Sequence, residues 1–256
     1  MLRVELATQL RRVRSLVLLG VLVGVPIVAA ATQAGGQGDA TFSALNFAEA
    51  GLNFMDPVLF GLLGAVVGAI LGGADRDWGT LRYLYLRPVS PRRVITGKWW
   101  ALVICSVLVV ATFLVAAFLT GLVVFGWHPF HRDGISDLSA AKAVWATIGA
   151  GAYLATCLLS LGSIALALGM LLPRSVEALG ISVAFLIGSA MIENIGPLHA
   201  VAVSLPVHYW MRWTQLFQTG SGGSGGLLLG VAVQAATIAV ALTAAFALLR
   251  RRDPAA

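Results

Sequence analysis

The stretch ADRDWGTLRYLYLRPVSPRRVITGKWW, residues 74–100, separates two long apolar runs, yet it holds six of the chain's 17 basic residues. The whole chain is 59% hydrophobic and only 11% charged, whereas soluble proteins carry about 25% charged residues. Hydrocarbon offers no hydrogen-bond partner to backbone N–H and C=O groups, so a chain that crosses a membrane does so as a helix. Such a helix needs about 20 mostly apolar residues to span the bilayer. The sequence therefore predicts an all-α polytopic membrane protein with a basic loop at 74–98.

Six apolar segments are long enough to cross a membrane as helices. They cover residues 15–34, 52–73, 99–125, 143–172, 175–195 and 226–249. These runs are continuous, which disfavours the alternating pattern of barrel strands. We therefore expect a single transmembrane domain over residues 1–256.

The basic residues predict the orientation of these spans. With a cytoplasmic N-terminus, fourteen of the seventeen basic residues fall on the cytoplasmic side and three outside. This asymmetry is the positive-inside pattern of a cell inner (plasma) membrane protein with both termini cytoplasmic. The net charge of +6 is then explained by topology and membrane lipid, and no nucleic-acid partner is expected.

The first fourteen residues predict an amphipathic helix that lies in the cytoplasmic interface. Leu2, Leu6, Leu10 and Val13 share one helical face, and the four arginines lie off it. An alternative interpretation is a secretory signal, because the basic head precedes an apolar run that ends in three alanines. The facial pattern favours the interfacial helix.

The basic loop contains its own short helix, predicted from residue 78 to about residue 86 and capped by Asp75 or Asp77. Trp78, Leu81 and Tyr85 would share its apolar face. The proline at 88 stops this helix, and the proline at 91 suits the first turn of the third span. Two interpretations stay open at this point: a basic anchor on the membrane surface, or a docking site for a cytoplasmic protein.

The stretch DWGTLRYLYLRPVSPRRVITGK, residues 77–98, resembles the cytoplasmic loop of type-2 ATP-binding-cassette (ABC) permeases. That loop carries an acidic residue, a spacer, Gly-Thr-Leu, a Pro-[Val/Leu]-Ser turn, basic residues and a lysine. Asp77 stands where the family usually has glutamate, which shortens the side chain. The resemblance implies that these residues couple the permease to an ATPase: Asp77, Trp78, Gly79, Thr80, Leu81, Arg82, Leu84, Tyr85, Arg87, Pro88 and Arg92.

The resemblance also implies an assembly and an activity. Two such permeases, identical or paralogous, work with two copies of a cytoplasmic ABC ATPase subunit, usually to export a substrate. ATP and Mg would bind to the ATPase, because this sequence has no G-x-x-x-x-G-K-[ST] motif. We therefore expect no enzyme activity, cofactor, catalytic residue or metal in this chain. The apolar spans favour a hydrophobic or amphipathic substrate.

Residues 196–225 predict an extracellular re-entrant segment followed by a Gly/Ser linker, since the apolar part is too short to cross. The resemblance implies a substrate path that is lined by the second and fifth spans and capped at its exit by short re-entrant helices. This suggests Asp56 and Glu193 on the spans and Tyr209 and Trp210 in the re-entrant segment as path residues. The competing interpretations are an interfacial aromatic belt for the last two and water-facing helix caps for the acids.

Three glycines at four-residue spacing, Gly64, Gly68 and Gly72, predict a helix face that packs closely on another helix, within the subunit or across a dimer. Two other protein classes remain as alternatives. A membrane-embedded enzyme, either a protease or a lipid-modifying enzyme, would need clustered His, Asp or Ser at membrane depth. A non-catalytic scaffold would not need the basic loop.

Overall fold

The computed structural model describes residues 13–34, 43–77, 91–132, 135–193, 195–218 and 225–251. Its helices are α1 (Val13–Ala34), α2 (Ala44–Met55), α3 (Val58–Asp77), α4 (Pro91–Val124), α5 (Ala140–Leu171), α6 (Ser175–Glu193), α7 (His199–Ala202) and α8 (Gly225–Arg251). Two 3₁₀ helices, Gly196–Leu198 and Pro206–Phe217, lie between α6 and α8. The predicted helices at 1–14 and 78–86 lie almost wholly or wholly outside the described residues, as does most of the Gly/Ser linker.

An all-α polytopic architecture is confirmed. Among the described residues, five helices are long and apolar enough to cross a membrane: α3, α4, α5, α6 and α8. The apolar stretch described in α1, Val17–Gln33, is shorter. The third span begins at Pro91, as predicted from proline's fitness for a first helical turn.

The second span differs from its prediction, because residues 52–73 do not form one continuous helix. α2 ends at Met55, where the Asp56 N–H still donates to Leu52 O at 3.0 Å, and α3 starts at Val58. Pro57 lies at the break, and proline both lacks an N–H and clashes with the preceding helical turn. α2 begins after Ser43, whose Oγ accepts a hydrogen bond from Asn46 N at 3.3 Å.

A short antiparallel hairpin, which the sequence did not predict, follows α4. Its strands are β1 (Phe130–Arg132) and β2 (Ile135–Leu138). The Asn46 side chain of α2 donates from Nδ2 to His131 O and accepts at Oδ1 from His131 N. The Phe130 ring lies 5.4 Å from the Phe217 ring, so the hairpin packs on the long 3₁₀ helix.

Helices α3 and α5 form the centre of the bundle. In the apolar segment of each helix, the buried share is 56% for α3 and 67% for α5, against 22% for α6 and 17% for α8. The helices that leave apolar side chains exposed surround this pair, as expected for a protein whose outer surface faces lipid.

Candidate functional site at the two ends of helix α3

A buried lysine ties α3 to α4 at the end of the bundle where α3 stops at Asp77 and α4 begins, the loop end. Lys98 is 2% exposed. Its Nζ donates to Leu71 O of α3 at 2.6 Å and lies 2.9 Å from Asp75 Oδ2. Because the two acceptors are one turn apart on α3, this contact fixes both the rotation and the axial position of α3 against α4.

The apolar surroundings of Lys98 strengthen this ion pair. Leu71, Ile95, Leu102 and Met170 are buried together in one cluster that joins α3, α4 and α5. Charges attract more strongly where the local dielectric is low, and an unpaired charge there is costly. The buried ammonium of Lys98 therefore makes a defined contact, while the side chain of Asp75 is 26% exposed at the edge of this cluster.

Arg92 is the one predicted coupling residue whose side chain the structure describes, and it contacts the last helix. Its guanidinium carbon lies 5.1 Å from the centre of the Phe246 ring of α8, within cation–π distance. Asp77 is the last residue of α3. The predicted coupling residues from Trp78 to Pro88 lie outside the described part of the chain.

The predicted glycine face contacts α5 within the subunit. A Cβ built on Gly64 would lie 2.8 Å from Leu158 O, and one on Gly72 would lie 2.9 Å from Gly169 Cα. Gly68 approaches the backbone of Gly162 in the same way. No side chain fits between these backbones, so α3 and α5 are in direct backbone contact over about two turns.

The other end of α3, the far end, holds the 3₁₀ helix Pro206–Phe217. This segment is packed into the bundle: Trp210, Trp213 and Phe217 are 0% exposed and Tyr209 is 4% exposed. The interpretation of Tyr209 and Trp210 as part of an interfacial aromatic belt is therefore wrong. Aromatic side chains are uncharged and have a large apolar area, so their burial contributes strongly to the stability of the fold.

Two buried side chains stabilise this 3₁₀ helix from the surrounding helices. Runs of 3₁₀ helix beyond three or four residues are uncommon, because their internal hydrogen bonds are poorly aligned. Tyr153 of α5 donates to Tyr209 O at 2.6 Å, and Gln234 of α8 donates to Pro206 O at 2.8 Å. Gln234 also accepts from Ser160 Oγ, so α5, α8 and the 3₁₀ helix are joined.

A third contact links the 3₁₀ helix to the break between α2 and α3. Trp213 Nε1 donates to Asp56 Oδ2 at 2.8 Å. Asp56 is 7% exposed, so the prediction of a water-facing cap is wrong for this residue. Its Oδ1 is buried without a hydrogen-bond partner among the described residues. The carboxylate at the break between α2 and α3 is thus in contact with the 3₁₀ helix.

The remaining candidates for the substrate path differ in the exposure of their side chains. Glu193 ends α6 and lies 3.1 Å from His208 Nδ1 at the exposed edge of the far end. Tyr209 donates from its hydroxyl to Val203 O at 3.0 Å. Trp210 is enclosed within the single subunit. Contact of these residues with a substrate stays a prediction.

A cavity of about 620 Å³ opens between α1, α2 and α4. Phe47 and Phe54 of α2, Phe113 of α4 and Val25 of α1 are among its lining residues. The polar side chains among them are those of Thr32 and Gln33. An apolar groove of this size suits hydrocarbon better than a polar solute.

Sequence reasoning missed the Lys98 pair and the polar contacts of the 3₁₀ helix. It favoured Asp75 or Asp77 as a helix cap, whereas Asp75 lies inside α3 and pairs with Lys98. A usable signal was present, since Lys98, Asp56 and Gln234 are polar residues next to or inside apolar runs. Polar residues in such positions need hydrogen-bonding or charged partners, so they are expected to make long-range contacts or to take part in function.

These features define a polytopic α-helical membrane protein whose described polar groups join helices to one another. A family model described as ABC-2 family transporter protein matches residues 2–191, most of the chain. The chain therefore belongs to the ABC-2 transporter family, which confirms the predicted resemblance. Membership implies an ABC transporter permease subunit and partnership with an ABC ATPase subunit, and such permeases generally lack an ATPase site of their own. The search of curated proteins gave no match.

Proposed function

We propose that this chain exports a hydrophobic or amphipathic substrate across the plasma membrane as a six-span, single-domain permease. α1 supplies the first span, and both termini lie in the cytoplasm. Two permease subunits, identical or paralogous, pair with two copies of a separate ATPase that binds ATP and Mg. The observation that carries this proposal is the position of α3 between the basic loop and the 3₁₀ helix, in backbone contact with α5.

Transmission along α3 follows from its contacts. A close-packed helix pair moves as a rigid body, because packed interfaces shift between discrete arrangements and do not deform smoothly. A displacement at the basic loop would thus reach Asp56, which contacts Trp213 of the 3₁₀ helix. In this mechanism the ATPase docks on residues 77–92, and the 3₁₀ helix closes the exit of the path.

The groove between α1, α2 and α4 supports the proposed class of substrate. Phe54 is 67% exposed at this groove, so hydrocarbon can reach it from the side. A substrate with an acyl chain or a large apolar body would bury surface there, at about 25 cal/mol for each Å². Asp56, Glu193, Tyr209 and Trp210 remain the proposed polar and aromatic contacts near the exit.

The test is purification of the tagged chain from its native cell in mild detergent, with identification of whatever binds. We expect an ATPase with a P-loop in equal copy number to the permease. Changing Gly79 and Leu81 together should abolish this association and transport while leaving membrane insertion intact. As a control, Lys142→Met changes an exposed residue of α5 at the far end and should leave the ATPase bound.

Two outcomes would contradict the proposal. Permease that is recovered alone, even after crosslinking, would favour the scaffold or the membrane-embedded enzyme. Retention of the ATPase and of transport in the Gly79 and Leu81 variant would show that the docking site lies elsewhere.

A further inference from the structure

The base of the basic loop is held at two points inside the subunit. Asp75 precedes the undescribed loop by a few residues, and Lys98 follows the start of α4 by about two turns. Their contact at 2.9 Å, with the 2.6 Å hydrogen bond to Leu71 O, joins the helices that enter and leave the loop. On α4, Arg92 adds a contact with Phe246 of α8.

We propose that Lys98 is a positioning residue: its clamp on Asp75 and Leu71 O makes α3 and α4 move as one body when the loop is displaced. This inference rests on the proposed docking of an ATPase at the loop. Without the clamp, a displaced loop would change the angle between α3 and α4, so that α3 moves while the far end of α4 stays in place.

The electrostatics of the pair supports a geometric role. Replacing a buried ion pair by uncharged groups of similar size is often neutral or stabilising, whereas removing one partner is strongly destabilising. A pair kept only for stability would thus be replaceable. A lysine that binds two acceptors one turn apart fixes the register between two helices, because its hydrogen bonds are directional. An apolar contact is not directional and does not fix the register.

The test uses the complex of permease and ATPase in lipid nanodiscs. The variant Lys98→Met/Asp75→Asn removes both charges of this ion pair together, a change that is often neutral for stability. Lys142→Met is the matched control, because it removes the chain's only other lysine from an exposed position. Spin labels at Leu122→Cys of α4 and Met191→Cys of α6 report the far end; both residues are exposed. The native Cys105 and Cys157 are replaced by alanine.

Distances between the labels are measured without nucleotide and after vanadate trapping, and ATP hydrolysis is measured in parallel. In the parent, we expect vanadate trapping to change the distance between the two labels. In Lys98→Met/Asp75→Asn, we expect this change to be lost while ATP hydrolysis continues. The Lys142→Met control should keep both. A full shift in the double variant would overturn the role of Lys98.

Failure of the proposed function gives a different result. If no ATPase binds the parent, or if trapping leaves the parent distance unchanged, the coupling mechanism itself is refuted and the clamp with it. If the double variant does not fold, Lys98→Met alone removes both contacts of the clamp and leaves only the Asp75 carboxylate, whose side chain is 26% exposed and can be hydrated. A full shift of the label distance in that single variant would likewise overturn the proposal.

Discussion

The backbone contact between α3 and α5 is tested most directly by Gly68→Ala. A Cβ on Gly68 would lie 2.9 Å from both Cα and C of Gly162, and closer still to its carbonyl oxygen. Real Cβ atoms essentially never approach within 3.0 Å. The obstacle is helix backbone, which has no alternative rotamer, so the two helices must move apart.

The expected loss of stability can be estimated from this geometry. Overpacking of a core costs about 1–3 kcal/mol, and a backbone obstacle places this site near the upper value. Alanine is a better helix former than glycine by about 1 kcal/mol, which leaves a net loss of about 2 kcal/mol. The control is Gly188→Ala in α6, where no heavy atom lies within 4 Å of the added Cβ. That variant should gain up to about 1 kcal/mol, because only helix propensity changes.

The assay is the free energy of unfolding in mixed micelles, titrated with sodium dodecyl sulfate and followed by the fluorescence of the chain's seven tryptophans. Gly68→Ala should be less stable than Gly188→Ala by about 3 kcal/mol. Equal stability of the two variants would refute the backbone contact and, with it, the rigid unit formed by α3 and α5.

Two further predictions concern the far end. Trp213→Phe keeps most of the buried ring but removes the hydrogen bond to Asp56, so unfolding should become easier by about 1–3 kcal/mol. The control Trp145→Phe, at a residue that is 72% exposed, should stay within about 0.5 kcal/mol of the parent, and equal effects would contradict the contact. Gln234→Leu removes the donor to Pro206 O, so a cysteine at Val207, which is 4% exposed, should become reactive to a maleimide when this change is added. Protection of that cysteine in both backgrounds would show that Gln234 does not hold the 3₁₀ helix.

Much of the helical framework could be predicted from local sequence. α4, α5, α6 and α8 lie where apolar runs predicted them, because an exposed backbone in hydrocarbon has no alternative to helix. The glycine spacing predicted a close-packed face, since three small residues on one side of a helix admit a neighbouring backbone.

The break in the second span had a local signal that a stronger pattern concealed, whereas the hairpin had none. Pro57 marked the break between α2 and α3, but apolar residues on both sides favoured one continuous span. The hairpin at Phe130–Leu138 has only seven strand residues, and its backbone is held partly by Asn46. Such short strands gain stability from contacts that lie far away in the sequence.

The sequence by itself determined that the chain is a helical membrane protein with a basic loop between its second and third predicted spans, because hydropathy and charge act on each segment independently. Only the tertiary structure decided which polar groups meet. Asp56 and Trp213 are 157 positions apart, and Lys98 selects Leu71 O across 27 positions. The physical reason is that a buried polar group must find a partner in three dimensions, and the position of that partner depends on how all the helices pack.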